Sequence, residues 1–273
     1  MKKFLAYFFG SAVLILGITY LIAWKSPRYY KVTTIQPQHA IIPFAKYDAD
    51  HVRPFIIRDS SFIIFGAEHT KDPQSTEIEM LEQHWKKFKP TVALVEGRLN
   101  FLLPGFMDPV KTLGEGGKLK ELASKDNIEI YNWDLSKEEL AQQLTKHFNK
   151  EQVALYQILN PYFSNLRFGK PSDPEDFVNS YLHRADYVGL KEQFKSIKDV
   201  DVTWKKYFPA GPDWRNVSDE TTLPGYLNNM MAATNDLRNQ QLVSAVKELT
   251  VKGHRVFLLC GSSHAVCVKP SFQ

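Results

Sequence analysis

Apolar and polar positions along the chain follow two periods. Unbroken apolar runs at 62–65, 92–95 and 256–260 have the β-branched and aromatic content of strands buried on both faces. Between them lie stretches with apolar residues at helical spacing: 76–88, with Ile78, Leu81 and Trp85 on one stripe, then a segment through Leu119 and Leu122, then 136–148, 151–160 and 227–251, the last stopped by Gly253. Residues 55–58 and 62–65 flank Asp59-Ser60-Ser61 as the arms of a hairpin, and a shorter run at 128–131 ends at Asn132-Trp133-Asp134. Strands alternating with helices at this spacing predict an α/β domain with a mostly parallel central sheet flanked by helices. From 161 to 224 the pattern dissolves into proline, glycine and aromatic residues (Tyr162, Phe163, Phe168, Trp204, Tyr207, Phe208, Trp214), which predicts a cap insertion of short helices and loops over one side of the domain. Gly114-Glu115-Gly116-Gly117 reads as a helix entry, and the glycine a Walker A loop requires upstream of Lys118 is missing.

The N-terminus has a different character. After Met1-Lys2-Lys3, residues 4–24 carry no charge and are mostly apolar, about long enough to span a bilayer as a transmembrane helix. This segment is either a retained signal-anchor or a cleaved signal; no clear small-x-small site precedes Lys25. A short basic N-terminus before a single span places the following domain outside the cytoplasm, on the periplasmic or extracellular side. Residues 25–54, with Pro27, Pro37, Pro43 and Pro54 and no helical period, read as a stem. The expected organisation is a signal segment at 1–24, a stem at 25–54 and one α/β domain at 55–273, with its cap at about 161–224.

Composition narrows the class only slightly. With 44% hydrophobic and 23% charged residues, the 273-residue chain is globular in type. A net charge of +4 with scattered lysines argues against nucleic acid as a partner. Cys260 and Cys267 do not make a disulfide framework.

The chemistry is concentrated where strands end. In an open α/β sheet the ligand crevice lies at the carboxyl ends of the strands. Ionisable groups follow four predicted strands there: Glu68 and His69, Glu96, Asp134, and His264. Two of these strands share one grammar, an apolar run ended by a glycine with a histidine three residues on: Gly66 before His69, and Gly261 before His264. Arg238 shares a helical stripe with Leu242, Ala245 and Leu249, so it faces inward and needs a carboxylate partner, for which Glu96 is the natural candidate. Asn239 points elsewhere on that helix and reaches the crevice only from its rim. Gly261-Ser-Ser-His-Ala265 is not a nucleophile elbow, because that fold needs its acid and histidine after the serine and only nine residues follow His264. His39, His51, His84, His147, His183 and His254 lie in polar surroundings and read as surface residues.

The ordered set Gly66-x-x-His69, Glu96, Arg238 and Gly261-x-x-His264 resembles the superfamily that joins erythromycin esterases, TIKI proteases, TraB/GumN proteins and ChaN-like haem-binding proteins, over about residues 60–268. The resemblance implies an α/β domain whose two histidines and glutamate form one site, and a hydrolase in the better-understood branches. His69, Glu96, Arg238 and His264 are the positions it carries over, with Glu68 and Asp134 in support. Glu68, beside the first histidine, is nearer to the esterase and ChaN-type variants than to the TIKI pattern. Two routes to water attack on an ester or amide of a small molecule or peptide stay open. His69, His264 and Glu96 could hold a divalent metal such as Mn, Co or Zn, with Glu68 or Asp134 completing the shell. Alternatively His69 acts as base without a metal, Glu96 orients the water, and His264 with Arg238 stabilises the oxyanion. A cation beside Glu96 repels a metal, which favours the second route. The competing classes are a ChaN-like protein that binds haem or another small ligand, with an axial tyrosine from Tyr162, Tyr181, Tyr187 or Tyr207, and a degenerate member that only scaffolds a membrane complex.

Overall fold

Strands that are apolar on both faces need cover on both faces, and the fold is built to supply it. The structure, a computed structural model, describes residue 17 and residues 23–34, 37–217 and 223–273. The expected transmembrane helix at 4–24 falls almost wholly outside the described residues; among those, no helix is long and apolar enough to cross a membrane. In chain order the described residues form β1 (Phe55–Arg58), β2 (Phe62–Ala67), α1 (Thr76–Phe88), β3 (Val92–Val95), α2 (Pro109–Lys125), β4 (Glu129–Asn132), α3 (Lys137–Leu144), α4 (Lys150–Asn165), α5 (Pro174–Asn179), α6 (Ile197–Tyr207), α7 (Tyr226–Val251), β5 (Val256–Gly261) and α8 (Ser262–Val268). They divide into two units, one of residues 1–42, 47–134 and 240–273, the other of residues 43–46 and 135–239.

The first unit holds a five-stranded mixed sheet in the order β1-β2-β5-β3-β4. β1 and β2 form the antiparallel hairpin, turned at Asp59, whose N–H donates to Phe62 O at 2.9 Å. The other pairings, β2 with β5, β5 with β3 and β3 with β4, are parallel. Side chains alternate between two packed layers. Ile64, Leu94 and Leu258 meet Leu242, Val246 and Leu249 of α7 on one face. Phe65, Ala93 and Phe257 meet Leu81 and Trp85 of α1 and Leu119 and Leu122 of α2 on the other. This is the α/β architecture that the apolar runs require.

One expected helix boundary is overturned. Gly114–Gly117 is not a helix entry. α2 starts five residues earlier, where Asp108 accepts from the Val110 and Lys111 amides and Pro109 occupies the first turn, and Gly114 (φ 62°, ψ −149°) is a kink inside it. The stem is also more than a spacer, since much of it is built into the first unit. Residues 28–30 add to the free edge of β4, with Asn132 N–H donating to Arg28 O (2.8 Å) and Tyr30 N–H donating to Asn132 O (2.7 Å). Just beyond, the buried carboxylate of Glu248 on α7 accepts from the Tyr30 hydroxyl (2.7 Å), from the Thr33 and Thr34 amides (2.8 and 2.9 Å) and from Lys252 (2.7 Å). His39, expected at the surface, is buried against Ser244 (2.9 Å). Burial lowers its pKa, which favours the neutral ring that such a site tolerates.

The second unit has its own core, with Tyr156, Tyr162, Phe163, Trp204 and Trp214 among its largest buried side chains. It begins at Leu135, well before the 161–224 segment in which the periodic signal fades. α4 runs through Pro161 rather than stopping before it. Proline at 161 deprives the carbonyl four residues back of its helical donor, and Arg184 supplies a replacement, donating to Gln157 O at 3.3 Å.

Glu248 generates a stability prediction. Burial alone would raise its carboxyl pKa, but Lys252, Thr34 and Tyr30 outweigh burial and hold it well below the ordinary 4.5. A folded pKa below the unfolded one stabilises above the unfolded value and is lost as pH falls. Glu248→Gln is therefore expected to cost about 2–3 kcal/mol in urea unfolding at pH 7. The gap to the parent should narrow steadily below about pH 4.5.

Candidate functional site

The two Gly-x-x-His motifs are spatial partners. β2 and β5 are adjacent and parallel, with Gly66 opposite Cys260 and Ala67 opposite Gly261. Gly66 lies within β2, one residue before its end, whereas Gly261 is the last residue of β5. A Cβ on Gly66 would fall 2.6 Å from Ala265 Cβ and 2.9 Å from Ser262 Cα, so this glycine makes room for α8. A Cβ on Gly261 would fall 3.0 Å from His69 Nε2, so that glycine makes room for the imidazole, while Glu96 Oε2 at 3.7 Å is in ordinary contact. Each motif's glycine thus accommodates the continuation of the other motif's strand. Gly261 is also the N-cap of α8, and His264 therefore sits on a short helix rather than in the expected loop.

Around Gly261 three expected residues converge. Glu96, just past β3, accepts from Gly261 N–H through Oε2 at 2.7 Å and turns Oε1 toward His264 Nε2 at 3.7 Å. His264 is buried, with its ring edge-on to Trp133 at 5.5 Å between centroids. Trp133 is fixed in turn by donating to Leu259 O at 3.1 Å. The His69 ring lies against the same glycine from the loop after β2, on a residue that is itself exposed. The site therefore has one enclosed imidazole beside a carboxylate and one imidazole open to solvent.

The backbone holding His69 is unusual. Its φ is 78°, a left-handed conformation that costs a non-glycine residue of order 1–3 kcal/mol and persists only where neighbours over-determine it. Two buried glutamates do so. Glu77 on α1 accepts from Glu68 N–H (2.7 Å), and Glu115 on α2, next to the Gly114 kink, accepts from Thr70 N–H. The amides on either side of His69 are gripped by carboxylates from two different helices. Burial pushes the Glu77 carboxyl up to about 7; the Glu68 amide pulls it down, and the neighbouring Glu115 and Glu68 carboxylates push it further up. Neither glutamate carries a strand-end signal in the sequence. They are legible only as acids on otherwise buried helix faces.

The remaining candidates divide. The Glu68 side chain is exposed, and its backbone rather than its carboxylate is what the structure ties down. Asp134 is buried at the end of β4, its amide donating to Asn132 Oδ1 at 2.9 Å. Arg238 belongs to the second unit, where it is half-buried and donates to Asn235 Oδ1 one turn back on α7 (3.0 Å). Asn239, expected at a rim, is fully buried. Comparison with family models, with curated proteins and with solved structures returned no match.

Donor geometry bears on each cofactor reading. Among the described residues no group of three or more His, Cys, Asp or Glu side chains is arranged to hold a metal ion, and one Glu96 oxygen is already engaged by an amide. Of the tyrosines considered for haem, Tyr162 is buried and donates to Arg215 O (3.0 Å), Tyr207 donates to Glu151 (2.6 Å), and Tyr181 carries the Arg184 guanidinium 4.6 Å from its ring centre. These three are committed to the packing of the second unit.

The two glycines should respond differently to a methyl group. Gly66→Ala meets backbone and should cost about 3 kcal/mol in urea unfolding. Gly261→Ala meets a movable side chain, so it should leave the melt within about 1 kcal/mol while shifting the His69 imidazole resonances. For Glu77 the folded pKa lies above the unfolded one, so its contribution is full below about pH 4.5 and is lost as pH rises through 7. Glu77→Gln, which keeps an acceptor for Glu68 N–H and cannot ionise, should flatten the decline in thermal stability between about pH 5 and 8.

Proposed function

We propose that the chain is a membrane-tethered hydrolase in which water attacks an ester or amide bond at His69, Glu96 and His264, in the manner of the TraB, TIKI and erythromycin-esterase families that the paired motifs resemble. The observation that carries this reading is the Glu96 carboxylate, held by Gly261 N–H and directed at His264 with the His69 ring on the same glycine. A general base must reach both water and solvent, and His69 is the exposed imidazole. His264, enclosed and facing Glu96, is suited to carry positive charge toward a developing oxyanion, because the carboxylate stabilises its imidazolium form. Glu96 orients and compensates. Residues 4–24 provide the tether and place the domain on the non-cytoplasmic side. Arg238 enters this reading through the sequence pattern alone, as a second cation for the oxyanion.

Full-length protein screened against p-nitrophenyl esters and fluorogenic peptides tests the proposal. His69→Ala and His264→Ala are each expected to lower kcat/KM by about 100-fold or more, with native-like melts. Hydrolysis should be insensitive to chelators. Activity that survives both histidine substitutions would remove the assignment, and an Arg238→Gln loss equal to that of His264→Ala would add Arg238 to the step.

A further inference from the structure

We propose that the loop before α2 is a second membrane contact, in which Phe101 and Phe106 enter the bilayer interface beside the point where the chain leaves the apolar segment. This inference rests on the tether reading of residues 4–24. Trp24 is the last residue of that uncharged stretch, and its N–H donates to Leu102 O at 2.9 Å in an antiparallel bridge. Leu102 is completely buried, so the bridge is anchored in the first unit rather than in a free arm. Residues 4–22, the 19 uncharged residues before the bend at Ala23, are about long enough for the roughly 30 Å hydrocarbon core, which on the tether reading places Trp24 at the water interface, where aromatic residues collect. The interfacial layer is only about 5–8 Å deep on each side. Phe101 adjoins Leu102, one Cα step of about 3.8 Å away, and therefore lies at nearly the same depth.

The loop is shaped for that position. Five large hydrophobic side chains stand exposed among the described residues, and the two aromatic ones are Phe101 (53%) and Phe106 (84%). Phe106 and Met107 N–H both donate to Leu103 O (3.2 and 3.0 Å), which folds the loop back on itself. Trp24, Pro104, Phe106 and Met107 line one open cavity of about 580 Å³, whose charged side chains are Asp108, Glu121 and Lys125. Two exposed phenylalanines in water would be a liability; at an interface they are anchors.

Depth measurement on the full-length protein in vesicles of phosphatidylcholine and phosphatidylglycerol decides the matter. Cys260 and Cys267 are buried, so single Phe101→Cys, Phe106→Cys and Val251→Cys variants take a nitroxide label selectively, with exposed Val251 (88%) as the aqueous reference. Labels at 101 and 106 are expected to show a ratio of oxygen to nickel-chelate collision rates several-fold above that at 251. A ratio equal to that at 251, in protein that floats with the vesicles, overturns the inference while leaving the tether intact. Protection from both reagents also overturns it, since it marks a protein partner or a second copy in place of lipid. Protein that fails to float overturns the tether reading itself.

Discussion

The arrangement depends on two absent side chains. Gly66 and Gly261 sit on neighbouring parallel strands, one residue out of register, and each leaves the space that the other strand's continuation fills. Without the first vacancy α8 could not lie against β2, and His264 would not be presented from a helix packed on the sheet. Without the second, the His69 ring would have to give way at the β5 terminus. A glycine in a strand normally weakens it, so its presence at both positions marks close approach rather than flexibility. The repeated motif in the sequence is therefore one packing solution used reciprocally.

The second dependency is electrostatic. His69 occupies a conformation that L-residues avoid, and the groups that hold it there are carboxylates buried beside one another. Burying acids is costly, and here it constrains an imidazole whose direction is set by backbone rather than by side-chain packing. His264 is positioned by the opposite strategy, enclosed by Trp133 and a short helix. One imidazole is thus enclosed and the other is carried on a held backbone, which leaves a solvent-facing and an enclosed group side by side, the asymmetry that acid–base chemistry uses.

Legibility in the sequence tracked the strength of each local signal. Strands buried on both faces are unbroken apolar runs, and the parallel sheet followed from their alternation with amphipathic helices. Glu96, His69 and His264 could be placed together because strand ends in such sheets share an edge. Trp133 was passed over, although it adjoins Asp134 at the end of β4, because an aromatic after a strand reads as core. Gly114 misled because glycines in a row outweighed the Asp108-Pro109 start signal. α8 was invisible because seven residues are too few to show a period. Asn239, placed at the rim by its helical position, and His39, read as surface from its polar surroundings, are both buried. Pro161 reads as a helix stop because the residue that compensates for it, Arg184, lies 23 positions away in sequence.

On the tethered reading, the strap that residues 24–30 form toward β4 also limits how far the site can stand from the tether. Arg28 is four Cα steps beyond Trp24, at most about 14 Å of extended chain, and Arg28 O accepts from Asn132 N–H at 2.8 Å. Asn132 therefore lies within roughly 20 Å of Trp24 however the strap runs. The next residue, Trp133, packs against His264. On the tethered reading, the reacting groups are held within about 30 Å of the bilayer surface by hydrogen bonds of the folded unit rather than by a free linker. A site at that height, fixed to the sheet edge, is within reach of a substrate presented by the same membrane, such as a lipid-linked ester or a membrane-anchored peptide.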